Sequence, residues 1–221
     1  MKRRSLLAGL AAAAASGCSR IAGTAPGERL MAIAQSWHER THKALRGDAL
    51  VPEFTKADIS PTFRGNGSIT VDTPEYAAQA AAGFADWRLA VGGLVERPMQ
   101  LRMSDIRALP QRTQITRHDC VEGWSAIGEW SGPQLGPILA AAGLKPEARY
   151  ILLRCADTMD GSMYYETIDL DDAFHPQTIL AHQLNGDPLP IANGAPLRLR
   201  VERQLGYKHA KYLTAIGRSG C

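Results

Sequence analysis

Apolar residues recur along this chain with two periods, and each change of period marks an element. Between residues 28 and 45, Leu30, Ile33, Ala34, Trp37 and Leu45 fall at partly helical spacings, interrupted at Thr41-His42. Residues 52–74 bring Pro, Gly, Asn and Ser at short intervals and read mostly as loop. From residue 86 the period shortens to two. Alternation around Trp87, Leu89 and Val91, ending at Gly92-Gly93, predicts a strand over 86–95. Residues 104–109 begin on Ser104 as a helix cap and stop at Pro110. Residues 114–117 alternate as the strand that delivers Cys120, and Trp130-Ser131-Gly132 closes the loop begun there. Residues 134–142 form an apolar helix ending at Gly143, a good C-cap. Residues 150–155 read as a strand buried on both faces, and 163–168 as another. Asp171-Asp172-Ala173 opens a short helix that stops near His175-Pro176. Residues 178–184 alternate into Asn185-Gly186, a hairpin signal. Residues 197–201 alternate with Arg198, Arg200 and Glu202, and 212–216 closes the sheet. Strands interleaved irregularly with few short helices predict a mixed α+β domain, mostly β.

Composition fits that picture. At 221 residues the chain suits one domain with a tail, and 45% hydrophobic content supports a sizeable core. No run reaches the roughly eighteen apolar residues of a spanning helix. The first residues look like an export signal instead. Lys2-Arg3-Arg4 precedes an apolar stretch over 5–15 that is too short to span. Arg3-Arg4-Ser5-Leu6-Leu7 looks like a twin-arginine signal, a route that carries folded proteins. Ala15-Ser16-Gly17-Cys18 resembles a lipoprotein cleavage box with Cys18 as the acylated residue. The expected organisation is a signal over 1–17, a tether and N-terminal helix over 18–53, and one folded domain over 54–221. Its expected place is the periplasm, tethered to the membrane through Cys18. The signal carries three basic residues and no acid, so the formal charge of +3 falls to zero without it. A neutral domain offers no broad footprint for nucleic acid.

Cysteine is the chemistry that remains. The chain has Cys18, Cys120, Cys155 and Cys221, in no zinc-binding spacing. Cys120–Cys155 is the internal pair open to a disulfide or a thiol redox couple. His38 and His42 sit four apart on a helix without a third ligand at suitable spacing, and read as exposed histidines. Cys120 stands in Arg117-His118-Asp119-Cys120-Val121-Glu122-Gly123-Trp124-Ser125, at the end of a strand entering a Gly-containing turn. That position presents the sulfur to a cavity. Thiolate is the form that ligates metals, and Arg117 and His118 are the neighbouring charges that would stabilise it. A half-buried structural cysteine is the plainer alternative.

Residues 117–130, RHDCVEGWSAIGEW, resemble the cysteine loop of the sulfite-oxidase-fold molybdopterin oxidoreductases, above all the haem-free bacterial members, which include methionine sulfoxide reductases. The resemblance returns at His175-Pro176-Gln177-Thr178, at Asn193-Gly194-Ala195-Pro196-Leu197-Arg198, and at Leu205-Gly206-Tyr207-Lys208-His209-Ala210-Lys211. It covers about residues 84–217, and 54–68 more weakly. It implies a sulfite-oxidase-type molybdopterin-binding domain carrying molybdenum-molybdopterin, with Cys120 as the protein's ligand to the metal. It places Cys155, Asn193, Arg198, His209, Ala210 and Lys211 at the pterin, with Arg198 forked onto its phosphate. Asn66, and less closely Arg64, fall in the family's Phe-Arg-Asn loop, although Gly65 separates them here. Arg117, His118 and Tyr207-Lys208 are the charged or polar candidates for substrate contact, and no spacing rule decides among them. The implied reaction is a two-electron oxygen-atom transfer on a small sulfoxide- or sulfite-like substrate. The chain is short for the extra immunoglobulin-like domain of sulfite oxidases and shows no haem-binding CxxCH, so electrons are expected from a separate cytochrome or membrane haem partner. The rivals are a cofactor-free periplasmic binding or scaffold protein of this fold, and a thiol redox protein needing the Cα atoms of Cys120 and Cys155 within about 7 Å.

Overall fold

The computed structural model describes residues 24–46, 49–159 and 161–217, which fall into two units divided between Ala49 and Leu50. The expected signal, Cys18 and Cys221 lie outside the described residues. The first unit holds α1 (Ala25–Arg46). It runs straight through Thr41-His42, because those residues lower helix propensity without removing a backbone donor.

The second unit is built around a long hairpin, β3 (Gln111–Cys120) and β4 (Trp124–Pro133), paired without a break from Gln111↔Pro133 to Cys120↔Trp124. The loop expected between Cys120 and Trp130 shrinks to the turn 121–123, where Gly123 takes a φ of 85°. Trp124 to Trp130 is strand because Ala126, Gly128 and Trp130 alternate onto the buried face. β4 continues to β8 (Gln183–Leu184) and β9 (Asp187–Pro188), joined at Asn185-Gly186 with both residues at positive φ, as the hairpin signal predicts.

A five-stranded sheet runs in the order β2 (Met99–Arg102), β1 (Arg88–Val91), β11 (Leu213–Ile216), β5 (Tyr150–Met159), β6 (Ser162–Asp169). Only the β1–β11 contact in it is parallel. Between the sheets lies a buried pair, β7 (Thr178–Ala181) and β10 (Arg198–Val201). A Cβ on Gly132 would stand 2.0 Å from the Leu180 carbonyl oxygen, so this glycine lets β4 pack its backbone directly on β7. The remaining helices are α2 (Pro74–Ala81), α3 (Met103–Ala108), α4 (Leu135–Ala142) and α5 (Leu170–Phe174). The main core joins Leu89, Val91, Ile138, Leu139, Leu153, Leu199 and Leu213. A second cluster sets Trp130 against Ile179, Leu184 and Phe63. The domain is mixed α+β with strand predominating, as expected.

Several elements differ from expectation. α2 is unforeseen: Thr73 accepts a hydrogen bond from the Tyr76 amide at 3.3 Å and Pro74 starts the first turn. α3 starts at Met103, because the Asp105 carboxylate reaches back to the Arg102 amide at 2.8 Å and Ser104 is not the cap. β5 is covered on one face only: Ile151, Leu153, Cys155 and Asp157 are buried and the residues between them are not. β10 departs from the apolar–polar alternation read over 197–201, since all four of its residues are buried, Arg198 and Arg200 among them.

Candidate functional site

The end of β3 supplies Cys120. Alternation along β3 puts Gln114, Thr116 and His118 on the buried face, and Cys120 follows in the same phase. Cys120 is half-buried and lines a cavity of about 260 Å³. The loop before α2 adds Asn66, Gly67 and Ser68, the turn after β3 adds Val121 and Glu122, and the end of β5 adds Asp157, Thr158 and Met159. Tyr164 from β6 and Tyr207, His209 and Lys211 from the segment before β11 complete the wall. Glu122 ties two sides together. Its carboxylate accepts from the Trp124 indole N–H and from the Gly67 amide, both at 2.9 Å, and it is held below the usual carboxylate range by these bonds.

The cations are buried, and burial sets their chemistry. Lys211 Nζ donates to the carbonyls of Asn66 at 2.6 Å and of Ser68. Burial, and then Arg198, lower it to about 8. Arg198 lies behind His209, fully buried. Its Nη1 donates to the Asn193 carbonyl at 2.9 Å and its Nη2 to the His209 carbonyl at 3.3 Å. Burial and Arg200 lower it to about 9, and Glu202 acts in the opposite sense. Among the described residues no carboxylate pairs with Arg198. Arg200, its neighbour on β10, differs: it is bidentate to Glu202 at 2.9 and 2.6 Å. Both guanidinium carbons lie over the Trp130 ring, at 5.0 and 4.3 Å.

Two histidines are neutral and oriented by their partners. Arg200 Nη1 donates to His118 Nδ1 at 3.0 Å, and a guanidinium can only donate. His118 therefore carries its proton on Nε2. That atom has no partner and faces the space beside Gly206 that a Cβ would fill, 2.5 Å away. His209 Nε2 lies 3.2 Å from the Gln204 carbonyl and must donate to it, which leaves Nδ1 as a buried acceptor without a partner. Burial followed by Arg200 holds both rings far below the usual histidine range.

The sequence-expected residues thus divide. Cys120, Asn66, His209 and Lys211 meet on one cavity, with Tyr207 at its wall. His118, Asn193 and Arg198 stand directly behind it, and Asn193 Nδ2 donates to the Arg64 carbonyl at 3.2 Å. Cys155 and Ala210 are buried in the main core, and burial pushes the Cys155 thiol up. Cys120 and Cys155 are both free, so no disulfide joins them. Arg117 is not brought to the cavity: it sits one residue out of phase with Cys120, exposed, and pairs with Asp119 at 3.0 Å. Lys208 turns to Glu166 at 2.6 Å. The cations expected beside the thiol are therefore replaced, because His118 is neutral and Arg117 faces away; Lys211, on the same cavity as Cys120, takes that place. His38 is exposed, and the His42 side chain lies outside the described residues. Sequence reasoning missed Asp157, Ser68, Tyr164 and Arg200. Asp157 is two residues beyond Cys155 and Arg200 two beyond Arg198, so strand period alone could have found them.

A group that binds here must answer a particular set of orphaned atoms. Asn66 Oδ1, Asp157 Oδ1, His118 Nε2, His209 Nδ1, Arg198 Nε and Trp130 Nε1 are buried without a hydrogen-bond partner among the described residues. Each such group costs about 1–3 kcal/mol if left unmet. Of these residues Asn66, Asp157 and His209 line the cavity together with Lys211, and His118 and Arg198 stand behind it; acceptors, a donor and two cations in that arrangement fit a large polar anion. A pterin with a phosphate has that chemistry, and the half-buried thiol at the wall suits a metal it carries.

The fold and this pocket define a cofactor-binding oxidoreductase domain. Residues 75–219 match the family described as oxidoreductase molybdopterin binding domain, and the chain belongs to that family. It is 44% identical over 167 residues to an Azospira oryzae chain with the provisional name protein-methionine-sulfoxide reductase subunit YedZ1, covering 76% of this chain and 60% of that one. It is 31% identical over 186 residues to the protein-methionine-sulfoxide reductase catalytic subunit MsrP of Xanthomonas axonopodis pv. citri, covering 79% and 58%. The chain thus spans about three fifths of the length of these curated relatives. Among solved structures it is similar to the sulfane dehydrogenase SoxCD of Paracoccus pantotrophus, with a TM-score of 0.55 and 26% identity over 60% of this chain and 38% of that one. As a member of this family the domain takes molybdopterin as its cofactor.

The Lys211 shift has a measurable consequence. Unfolded, the lysine titrates near 10.4; folded, at about 8. Between those values the unfolded chain holds a proton that the folded chain has lost, so stability rises with pH through this window. Over the same window the raised Cys155 thiol acts in the opposite sense, because the unfolded thiol loses its proton first, so the expected result is a difference: in denaturant titrations of the cofactor-free protein, Lys211→Met is expected to show a less positive pH slope than wild type between about pH 8 and pH 10. Equal pH slopes in the two proteins would remove Lys211 from the buried cations. Retention of an anionic cofactor runs the other way, weakening as Lys211 loses its charge.

Proposed function

We propose that this chain is the molybdenum-cofactor domain of a periplasmic, Cys18-tethered oxidoreductase that reduces sulfoxides, methionine sulfoxide in proteins first among them. The observation that carries this reading is the convergence of Cys120, Asn66, His209 and Lys211 on one cavity, with Arg198 lacking a carboxylate behind it. The methionine-sulfoxide reductase names of its relatives supply the substrate class. Cys120 would hold the metal, and Arg198 and Lys211 the anionic part of the pterin. When bound, the cofactor supplies two-electron oxygen-atom transfer. The chain's own part is orientation and exclusion of water. Neutral, tautomer-fixed His118 and His209 offer one donor and one acceptor. Val121, Met159, Tyr164 and Tyr207 give the mouth an apolar, aromatic rim suited to a thioether.

Reducing a sulfoxide consumes two electrons and two protons and yields a sulfide and water. The electrons come in this reading from a separate haem protein, consistent with relatives named as subunits. Among the described residues no helix is long and apolar enough to cross a membrane. The export signal expected over 1–17 supports the periplasm, and Cys18 the tether.

The test is metal analysis of the exported protein, followed by turnover with a reduced dye as electron donor. About one molybdenum per chain and dye oxidation on adding methionine sulfoxide are expected. Full molybdenum loading with oxidation of reduced sulfur compounds and no sulfoxide reduction would overturn the direction. Absence of molybdenum would return the cofactor-free scaffold.

A further inference from the structure

β6 is an edge strand beside the cavity, and among the described residues no strand pairs with its outer side. In the five-stranded sheet its inner side pairs with β5, with the register shifting between Arg154↔Tyr165 and Thr158↔Met163, on either side of Tyr164. Thr167 shows which backbone groups face outward: its carbonyl accepts from Lys208 Nζ at 3.0 Å and its amide donates to Glu166 Oε1 at 2.8 Å, both away from β5. Outward and inward groups alternate along a strand. The amides and carbonyls of Tyr165 and Met163 therefore also face outward, and among the described residues nothing accepts or donates there.

Exposed edges are normally blunted by lysine, proline or a cover. Ser162-Met163-Tyr164-Tyr165 has none of these; the Lys208–Glu166 pair covers only the far end of the strand. Met163 and Tyr165 are instead 56% and 62% exposed. Their side chains share the outer face, while Tyr164 between them points to the other face and lines the cavity. The strip is continuous with the mouth, since Thr158, which pairs with Met163, and Met159 also line it.

We propose that this edge is a docking strip for an extended polypeptide carrying the oxidised methionine, which adds to the sheet beside β6. The inference rests on the sulfoxide-reductase reading above for the identity of the ligand. Strand geometry then fixes the rest. A ligand residue opposite Tyr164 projects to the same face as Tyr164, toward the cavity. Its two neighbours project to the outer face, against Met163 and Tyr165, and exchange main-chain hydrogen bonds with those residues. The strip thus selects an extended segment, with an apolar residue on either side of the methionine sulfoxide.

The test uses the molybdenum-loaded protein and three probes. They are a fluorescent nine-residue peptide with central methionine sulfoxide and apolar flanks, the same peptide N-methylated at both flanking residues, and a blocked single methionine sulfoxide. Binding is read by fluorescence anisotropy, independently of turnover. N-methylation is expected to weaken the peptide about tenfold or more, as the loss of its main-chain donors implies. Met163→Pro removes the matching donor on the protein, at an edge position that tolerates proline. It is expected to weaken the unmethylated peptide about tenfold while leaving molybdenum content and kcat/KM for the blocked amino acid unchanged. If Met163→Pro fails to fold, the methylated peptide on the wild-type protein decides. Equal affinity of the two peptides, no peptide binding, or sedimentation showing the β6 edge consumed by a second copy of the chain would each overturn the strip. Peptide binding that depends on N-methylation without any sulfoxide turnover would keep the strip and sink the reductase reading instead.

Discussion

Cys120→Ser is expected to leave a folded domain whose molybdenum has one sulfur ligand fewer and whose turnover falls by at least about a hundredfold. Loss of groups that merely support a metal ligand costs 10–100-fold, so loss of the ligand itself sets a floor at the upper end. The fold survives because the β3–β4 register is pinned by the pairs from Gln111↔Pro133 to Asp119↔Ser125, and Cys120↔Trp124 only ends the ladder. Serine is close in size and the site is half-buried, so packing changes little. X-ray absorption on the molybdenum-loaded protein is the measurement. The same sulfur count in wild type and variant would mean that Cys120 is a wall residue and the metal is held elsewhere.

Arg198→Lys is expected to lower cofactor retention by one to two decades, and Arg198→Ala by more. A charge-assisted hydrogen bond contributes about 1.5–3 kcal/mol, which corresponds to that loss. Lysine keeps the charge but not the planar fork. From sequence alone Arg198→Ala would have been a safe test, a strand cation removed without harm to the fold. Its burial changes this. Alanine strands the Asn193 and His209 carbonyls and empties the space over Trp130. Stability is expected to fall by about 2 kcal/mol or more, since each stranded buried group costs about 1–3 kcal/mol. Arg198→Lys is therefore the more informative variant. Molybdenum and pterin per folded chain are measured in both. Full loading of Arg198→Lys would show that the guanidinium, whose two terminal nitrogens hold the Asn193 and His209 carbonyls, does not grip the cofactor.

The sequence by itself determined what depends on neighbours along the chain. Asn185-Gly186 fixes a hairpin because both residues accept positive φ. Gly143 ends α4 in the left-handed conformation for the same reason. Cys120 falls at a strand end because the alternation of residues 114–117 runs out at a glycine-containing turn. The motif order was enough to find the family, and four of the residues it implied, Cys120, Asn66, His209 and Lys211, line one cavity. Only the tertiary structure decided which strand faces are covered. Period two says that Arg198 and Arg200 share a side; it does not say that β7, Trp130 and His209 bury it. It says that Arg117 and Cys120 differ in phase, and the cavity then forms on the side of Cys120. Asp157 and Tyr164 join the wall because β5 ends and β6 begins beside the turn after β3, a proximity across some forty residues of chain that no local pattern records. Local sterics and hydrogen bonding act over a few residues, so sequence carries them openly. Desolvation depends on what packs against a side chain, so the chemistry of these buried cations and histidines appears only once the chain is folded.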